Sequence, residues 1–430
     1  MAKNDQIIYV CSSCGEEYLR WQGKCDNCGN WNTLKEFQVS KSKYQTDKSA
    51  AASPQELSKI TIKNFKRTSS AISEFDRVLG GGFIPGSIIL LGGDPGIGKS
   101  TLLLQVAAKL DQVLYISGEE SPQQIKMRFD RLSLKSNSIK LFSEINLGSI
   151  ISTIEAEKPK FVVIDSIQTI YSSDFPSTPG SIVQVRECAL RLQQLAKTSS
   201  TIIILVGHVT KEGSVAGPRM LEHLVDIVLY LEGERFHNHR ILRSAKNRFG
   251  ATDEIGIFEM TEYGLVEVSN PSKLFLAERL KNVPGAVVTA TVEGTRSFLV
   301  EVQALTTNTT FGFPQRRTSG FDLNRLQLLI AVLQKRAGLG LANQDIFVNI
   351  VGGVKIKEPA VDLAVALAVA GAYKDKVIDA KACVFGELGL TGEIRKVAQE
   401  SKRLAEAKRL GFNKFIKSKT LGELVRNYFV

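Results

Sequence analysis

The sequence predicts an α/β protein with a largely parallel central sheet, preceded by a small cysteine-rich module and followed by an α+β domain. Between residues 59 and 270, short apolar segments that suit buried strands alternate with helical segments. This alternation is typical of parallel sheets. A glycine-rich segment at residues 93–101 joins one of these strands to a helix. After residue 270 the pattern changes to longer alternating strands, and no second segment of this glycine-rich kind follows.

The cysteine-rich module covers residues 1–37 and contains two Cys-x-x-Cys pairs. Cys11 and Cys14 form the first pair, and Cys25 and Cys28 form the second. Each pair offers two thiolates from one tight turn, so the two turns together complete a tetrahedral Zn²⁺ shell in a compact ribbon or knuckle. A redox motif is the alternative, but two copies so close together favour a metal. No water-activating Glu or His pattern lies nearby, so we expect a structural zinc.

Aromatic residues and a polar segment accompany this module. We expect Tyr18, Trp21 and Trp31 to pack around the metal site. Residues 38–58 are rich in Ser, Lys, Ala and Gln and show little periodicity. They are therefore predicted to form a linker.

The central domain is predicted to follow a strand–helix order. A short helix is expected at 72–79, before three consecutive glycines. Apolar runs then predict strands, and the segment after the glycine-rich loop predicts a helix. The expected strands are 87–91, 113–116, 161–164 and 201–206, with further strands near 226–231 and 239–245, and the expected helix is 101–108.

The glycine-rich segment matches the phosphate-binding pattern G-x-x-x-x-G-K-[ST]. Its glycines let successive backbone N–H groups face one anion, and the following helix adds its positive end. Lys99 can reach the β- and γ-phosphates of a nucleoside triphosphate, and the Ser100 hydroxyl can hold Mg²⁺. We therefore predict binding, and hydrolysis, of ATP. The predicted nucleotide-binding residues are Gly93, Asp94, Pro95, Gly96, Ile97, Gly98, Lys99, Ser100 and Thr101.

Polar side chains stand where the predicted parallel strands end, and ligands collect at that edge in open α/β sheets. Asp165 follows four apolar residues, which suits a carboxylate that positions the Mg²⁺ shell. Glu119 could orient or activate the attacking water, and its neighbour Glu120 is an equal alternative by spacing. His208 could sense the γ-phosphate, or it could only cap a turn at the strand end.

The second domain, residues 271–430, is predicted to be α+β. Its first two strands alternate apolar and polar residues. The expected strands are 286–293, 297–304, 345–351 and a short one near 383–385, and the expected helices are 322–337, 360–372 and 398–410.

Composition limits the class of protein. The 430 residues suit two or three domains, and the formal net charge of +11 favours a polyanionic partner. No apolar run is long enough to cross a bilayer, and the first residues lack the apolar core of a signal peptide. We therefore expect a cytoplasmic protein without disulfides. Cys188 and Cys383 lie alone in apolar segments, which is typical of inert core residues.

Several motifs together identify a resemblance. Besides the cysteine pairs and the phosphate-binding loop, they are residues 75–82, 118–121, 163–168 and 207–211, and the Lys-Asn-Arg-Phe-Gly sequence at 246–250. In this order the chain resembles the bacterial RadA (Sms) family of DNA repair proteins over essentially its full length. The resemblance implies a RecA-like ATPase domain at 59–270. It also implies that the chain uses ATP, Mg²⁺ and Zn²⁺.

The resemblance also implies an activity and partners. Members of that family are DNA-dependent ATPases that promote branch migration during RecA-mediated recombination, and they form hexameric rings of a DnaB-helicase kind. The implied partners are single-stranded and branched DNA, the RecA recombinase and further copies of the chain. A RecA-like signalling ATPase that does not bind nucleic acid remains an alternative.

The C-terminal domain resembles the proteolytic domain of Lon proteases, with a ribosomal S5 domain 2-like fold. Catalysis there needs a Ser nucleophile activated by a Lys. The nucleophile position falls on Ala360, and the lysine position falls near Ser401, with Lys402 next to it. An ATP-dependent protease is therefore disfavoured, and the domain is interpreted as an inactive scaffold for assembly or DNA contact.

Lys246 and Arg248 of the Lys-Asn-Arg-Phe-Gly motif have three possible roles. They could be solvated cations, they could contact DNA phosphates, or they could complete the ATP site of a neighbouring subunit. We expect them to follow a strand toward the sheet edge, poorly placed for their own phosphate-binding loop. The predicted catalytic residues are Lys99, Glu119, Asp165, Lys246 and Arg248.

Overall fold

A computed structural model describes residues 6–11, 16–39, 56, 66–136, 138–175, 177–208, 220–233, 238–310 and 312–429. The chain forms two compact units. The first comprises the chain up to Glu232 together with Leu242–Thr252 and Met260–Val266, and the second comprises the remainder. The predicted linker at 38–58 lies almost entirely outside the described residues, and the predicted domain boundaries remain a prediction.

The N-terminal module is a three-stranded antiparallel sheet in the order β2-β1-β3. Its strands are β1 (Gln6–Cys11), β2 (Glu17–Tyr18) and β3 (Leu34–Val39). Its small core contains Cys11, Cys25 and Leu34, with Tyr9 and Tyr18 packed against it. A core of this size cannot hold a fold alone, so such modules depend on a metal.

The central sheet has nine strands in the order β12-β11-β10-β9-β4-β8-β7-β5-β6. The six from β9 to β6 run parallel. Strands β4, β5, β7 and β8 are buried along their whole length, as expected when helices cover both faces. The predicted α/β fold is confirmed. The strands are β4 (Ile88–Gly92), β5 (Val113–Ser117), β6 (Ile139–Ser143), β7 (Phe161–Asp165), β8 (Ile202–Val206), β9 (Ile227–Glu232), β10 (His239–Asn247), β11 (Ile255–Thr261) and β12 (Gly264–Glu267).

In the described part of the chain, five helices accompany this sheet. They are α1 (Ser73–Leu79), α2 (Lys99–Ala108), α3 (Pro122–Arg131), α4 (Leu147–Glu157) and α5 (Ile182–Ser199). Side chains cap the amino ends of α3, α4 and α5, through Ser121, Asn146 and Ser181 respectively. Helix α2 begins at Lys99, two residues earlier than predicted, and its N-cap Gly98 offers no capping side chain. The first N–H groups of α2 are therefore left for another acceptor.

The second unit contains a six-stranded sheet in the order β15-β16-β14-β13-β17-β20 and a separate pair, β18-β19. Helix α8 is buried on nearly all sides, which explains its continuous Ala/Val/Leu sequence. None of the described helices is long and apolar enough to cross a bilayer. The elements are α6 (Pro271–Phe275), β13 (Ala286–Glu293), β14 (Arg296–Asn308), β15 (Arg316–Ser319), α7 (Leu323–Ala337), β16 (Gln344–Ile350), α8 (Asp362–Lys374), β17 (Ala382–Cys383), β18 (Glu387–Leu388), β19 (Ile394–Arg395), α9 (Glu400–Arg409), β20 (Lys414–Phe415) and α10 (Leu421–Phe429).

Candidate nucleotide and metal sites

The phosphate-binding loop connects the carboxyl end of β4 to the amino end of α2. Gly93 has φ +152°, and a Cβ atom there would lie 2.6 Å from the Leu231 carbonyl oxygen. Only glycine fits so close to that backbone. The loop thus turns directly into the uncapped amino end of α2, where backbone donors and the helix dipole favour an anion. This geometry fits the triphosphate predicted from the motif.

The Lys99 side chain lies over this loop. Its Nζ atom donates hydrogen bonds to the carbonyl oxygens of Gly93 (2.8 Å) and Asp94 (3.0 Å). It also lies 3.2 Å from Nδ1 of His208. Burial lowers the pKa of Lys99, whereas the carboxylates of Asp165 and Glu119 act in the opposite direction. The ammonium therefore stands beside two acidic groups at the point where phosphates would bind.

A chain of hydrogen bonds links Lys99 to Glu119. Because the Lys99 ammonium donates to Nδ1 of His208, the opposite ring nitrogen, Nε2, carries the proton that faces Glu119 Oε1 at 3.2 Å. The Ser166 hydroxyl donates to the same carboxylate. The hydrogen bond from His208, together with that from Ser166, lowers the pKa of Glu119 to about 2. Glu119 is consequently an ionised acceptor at neutral pH.

Asp165 ends β7 and is buried. Its Oδ2 atom accepts a hydrogen bond of 2.8 Å from the hydroxyl of Tyr115, which lies on the neighbouring strand β5. Burial and the nearby Asp165 raise the pKa of Tyr115 well above its usual value, so it remains a donor. Among the described residues, no hydrogen bond engages the other carboxylate oxygen, Oδ1. Oxygen donors such as Asp165 and the Ser100 hydroxyl suit Mg²⁺.

Glu119 and Glu120 differ in their surroundings. Glu120 forms an ion pair with Arg128 of α3, and its backbone N–H donates a hydrogen bond to the Ser117 hydroxyl. Glu119 instead joins the chain that includes His208 and Lys99. The sequence could not separate these neighbours, and the structure places Glu119, not Glu120, in contact with His208 beside Lys99.

We expect the Glu119→Gln variant to lose ATP hydrolysis by about a hundredfold or more, because a neutral amide replaces the carboxylate charge proposed to orient the attacking water. Glu120→Gln is the matched control, and it should hydrolyse ATP near the parent rate. Steady-state phosphate release measures both variants, and a fluorescent ATP analogue measures retained binding. Equal loss in both variants, or a larger loss in Glu120→Gln, contradicts the assignment.

The Lys-Asn-Arg-Phe-Gly motif lies at the end of β10, near the amino end of β4, whereas the phosphate-binding loop follows the carboxyl end of β4. Lys246 is the penultimate residue of β10 rather than part of a loop, and its Nζ donates to the Glu222 carbonyl at 2.7 Å. Arg248 pairs with Asp226 at 3.1 Å. Asp226 also accepts the backbone N–H of Ile88, where β4 begins. Since the five residues of β4 span about 16 Å, neither cation reaches its own phosphate-binding loop.

Hydrogen bonds connect this motif to other residues of the first unit. Asn247 donates to the Leu79 carbonyl at the end of α1, and Arg67 donates to the carbonyls of Leu79 and Phe249. Arg67 belongs to the basic segment 63–67, of which residues 63–65 lie outside the described residues. The Arg67 guanidinium is thus engaged by backbone carbonyls of its own chain, whereas the Arg248 side chain is 49% exposed to solvent.

The cysteine module brings three of its four predicted ligands together. The Sγ atoms of Cys11, Cys25 and Cys28 all lie within 4.8 Å of one another. Cys14, the fourth, lies outside the described residues. The Tyr18 hydroxyl is 3.3 Å from the Cys25 sulfur, and this contact raises the pKa of Tyr18 to about 12. Converging thiols of this kind fit Zn²⁺.

The prediction that both tryptophans pack around the metal site is wrong. Trp21 is 58% exposed and Trp31 is 69% exposed. They flank Gly23 instead, where a Cβ atom would lie 3.6 Å from the Trp31 ring and 3.9 Å from Trp21. Tyr18 does pack at the site. The three-stranded sheet is too small to bury two indole rings as well as the cysteines.

We expect about one zinc ion per chain, and the Cys28→Ala variant should lose it and unfold the N-terminal module. Elemental analysis of protein purified without added zinc measures the metal. Cys188→Ala is the control, because Cys188 lies buried in the first unit and burial raises its pKa to about 12. Metal-free protein with four titratable thiols and an unchanged fold rules the zinc site out.

In the C-terminal domain, the position that matches the Lon nucleophile is the buried Ala360. Ala360 is only 2% exposed and has no side-chain oxygen, whereas Ser401 and Lys402 are exposed. Near Ala360, the partly exposed Glu358 forms an ion pair with the buried Arg403. Burial raises the pKa of Cys383, the remaining thiol of this domain, to about 12, as expected for an inert core residue.

These features define the chain as a P-loop ATPase of the AAA/RecA-like class with a zinc ribbon and a C-terminal α+β domain. Residues 53–214 match a family described as an AAA domain. Residues 9–36 match a rubredoxin metal binding domain, and residues 324–420 match subunit ChlI of Mg-chelatase. The fold class expected from the sequence is confirmed.

The chain belongs to the RadA family of DNA repair proteins. It is 52% identical over 415 residues to DNA repair protein RadA of Listeria monocytogenes, covering 94% of this chain and 90% of that protein. It is 51% identical over 420 residues to DNA repair protein RadA of Bacillus subtilis, covering 95% and 91%. Among solved structures, a KaiC-like protein of Pyrococcus horikoshii aligns with 47% of this chain and 99% of its own at 23% identity and a TM-score of 0.40.

Proposed function

We propose that this chain is a DNA-dependent ATPase motor that processes recombination intermediates and promotes branch migration in RecA-mediated strand exchange. Its relatives are named DNA repair proteins, and its net charge of +11 suits a polyanionic substrate. The proposed substrates are single-stranded and branched DNA, along which ATP hydrolysis drives helicase-like movement. The RecA recombinase is the proposed protein partner.

The observation that carries the ATPase proposal is the hydrogen-bonded chain Lys99–His208–Glu119 beside Asp165. In the proposed mechanism, residues 93–101 bind the phosphates. Lys99 contacts the β- and γ-phosphates, and the Ser100 hydroxyl would hold Mg²⁺. Asp165 orients the Mg²⁺ shell, and Glu119 orients the attacking water. Ser100 and Asp165 would hold Mg²⁺, which would supply neutralisation of phosphate charge.

The hydrogen bonds that link Lys99, His208 and Glu119 also allow the protein to respond to a bound nucleotide. Phosphate oxygens attract Lys99 away from the carbonyls of Gly93 and Asp94 and from His208. His208 then keeps its bond to Glu119 alone, so the histidine at the end of β8 responds to the γ-phosphate. The segment 209–219 that follows His208 lies outside the described residues.

We further propose that copies of the chain form a ring, which the family resemblance implies is hexameric. In this ring, Lys246 or Arg248 completes the ATP site of the neighbouring subunit. The support is their distance from their own phosphate-binding loop and the exposure of Arg248. A cation supplied from a neighbour neutralises charge on the transferred phosphoryl group.

The C-terminal domain is proposed to be inactive as a peptidase, since Ala360 offers no nucleophilic oxygen and is buried. Full-length protein incubated with ATP and casein should leave the casein intact. Digestion that persists in purified protein contradicts this proposal.

We expect single-stranded DNA to raise ATP turnover and to bind mainly through phosphate contacts. Its affinity should fall at least about tenfold between about 50 mM and about 200 mM salt and depend little on base sequence. Anisotropy of labelled oligonucleotides of unrelated sequence, with parallel ATPase assays, measures both. An ATPase indifferent to DNA favours a signalling ATPase, and salt-insensitive, sequence-specific binding contradicts the phosphate-contact proposal.

A further inference from the structure

Strand β15 forms an open edge of the sheet in the second unit. Its residues Arg316–Ser319 pair in parallel with β16. Beyond that ladder, no backbone hydrogen bond involves residues 316–319 within the described part of the chain. The outward N–H and C=O groups of such an edge are a template for a further strand.

Two clefts border this edge, and Thr318 and Ser319 line both of them. The larger has a volume of about 1130 Å³ and is also lined by Leu328 of α7 and by Leu390. The smaller, of about 510 Å³, is also lined by Leu305 of β14.

The clefts lie on opposite faces of the sheet. Val300 and Val302 of β14 pack with α7 and α8 in the main core of the unit. Leu305 and its alternate neighbours Gln303 and Glu301 line the smaller cleft, and side chains at odd and even positions of a strand point to opposite faces. The smaller cleft is therefore on the face away from α7.

Exposed leucines mark both clefts. In the larger cleft, Leu390 is 66% exposed and Leu328 is 53% exposed. In the smaller cleft, Leu305 is 63% exposed and Leu280 is 73% exposed. Exposed apolar residues concentrated at one place indicate an interaction site. An open strand edge between two apolar clefts matches the alternation of side chains along an extended peptide, whereas a nucleic acid has no such alternation.

The charges around the edge select among peptides. Arg317, Lys355 and Lys357 are exposed and have no acidic partner among the residues that the structure describes. The acidic groups of the larger cleft are already engaged. Asp362 pairs with Arg325, Glu393 pairs with Arg395, and Asp322 caps α7. The remaining charge is positive and attracts Asp or Glu.

We propose that β15 and its two clefts bind an extended segment of a partner protein, with consecutive apolar residues flanked by acidic ones. The segment adds to the sheet as a strand beside β15. Its side chains enter the larger and the smaller cleft alternately, and its flanking carboxylates meet Arg317, Lys355 and Lys357. This site is independent of the ATP site in the first unit.

The probe is the fluorescein-labelled peptide Asp-Asp-Leu-Val-Leu-Val-Asp-Asp, and fluorescence anisotropy with the full chain measures its binding. Two further peptides carry N-methyl groups, on the two leucines in one and on the two valines in the other. Because alternate N–H groups of a strand point to opposite edges, one methylated peptide should bind at least about tenfold more weakly and the other should bind like the parent. No binding of the parent peptide, or equal binding of all three, overturns the proposal.

Two variants test the clefts separately. Leu390→Asp and Leu305→Asp should each weaken binding at least about tenfold, whereas Val377→Asp, at an exposed residue of the same unit outside both clefts, should not. All three should keep the parent's assembly mass by light scattering and its ATPase rate. A smaller assembly in Leu390→Asp means that a second copy occupies the cleft, and displacement of the peptide by oligo-dT means that nucleic acid does. Either result overturns the proposal.

Discussion

The Lys99→Ala variant is expected to lose ATP hydrolysis by about a thousandfold or more while retaining its fold. The ammonium reaches the loop carbonyls and His208, so it stands where negative charge on the β- and γ-phosphates develops. Alanine removes that charge and also the donor to His208. Phosphate release under saturating ATP measures the rate, and thermal unfolding measures the fold.

Lys109→Ala is the matched control for this variant. Lys109 is the C-cap residue of α2, the same helix that begins at Lys99, and its ammonium donates to the Ala71 carbonyl at the surface. Its loss should leave the ATPase rate near that of the parent. If Lys99→Ala also hydrolyses ATP near the parent rate, the phosphate-binding loop is not the active site.

Arg248→Ala is expected to be nearly inactive alone and partly active when mixed with Lys99→Ala. A cation supplied from a neighbouring subunit is worth about 10³ to 10⁵ in rate. In mixed rings, some interfaces pair an intact Lys99 with an intact Arg248. The ATPase rate of the mixture, followed against the ratio of the two variants after subunit exchange, measures the recovery.

Two controls accompany that experiment. Arg248→Lys keeps a cation beside Asp226, so it distinguishes loss of charge from loss of fold. Arg243→Ala removes an arginine of the preceding strand β10 that pairs with Glu232 instead, and it should remain active alone. If both inactive variants exchange subunits and no activity returns, the role in trans fails. If Arg248→Ala instead keeps the parent's DNA-free ATPase rate but binds DNA more weakly and with less salt dependence, Arg248 contacts DNA.

The choice between Glu119 and Glu120 depends on contacts that are distant in sequence. Both residues follow β5, and both are acidic and one peptide apart. Glu119 meets His208, which lies 89 residues further along the chain, whereas Glu120 meets Arg128 on the next helix. The sequence order of strands does not give their spatial order, so only the placement of β8 near β5 separates the two carboxylates.

The positions of Lys246 and Arg248 were partly predictable from the sequence, whereas their role stays a prediction. Their position late in the sheet suggested that they lie far from their own phosphate-binding loop, and their contacts with Glu222 and Asp226 agree with that expectation. The contact of Asp226 with the start of β4 was not predictable, because buried carboxylates that accept backbone N–H groups have no sequence motif.

The sequence by itself determined the parts of this protein that depend on local spacing. The phosphate-binding loop, the buried parallel strands and the cysteine pairs each follow from residue types a few positions apart, since turns and strand ends are local structures. Tertiary structure alone decided which carboxylate joins Lys99 and that Trp21 and Trp31 face solvent. It also decided that the short polar strand β15 is an edge between two clefts. Each of these depends on which distant elements pack together, and that is set by burial of the whole core rather than by any neighbouring residue.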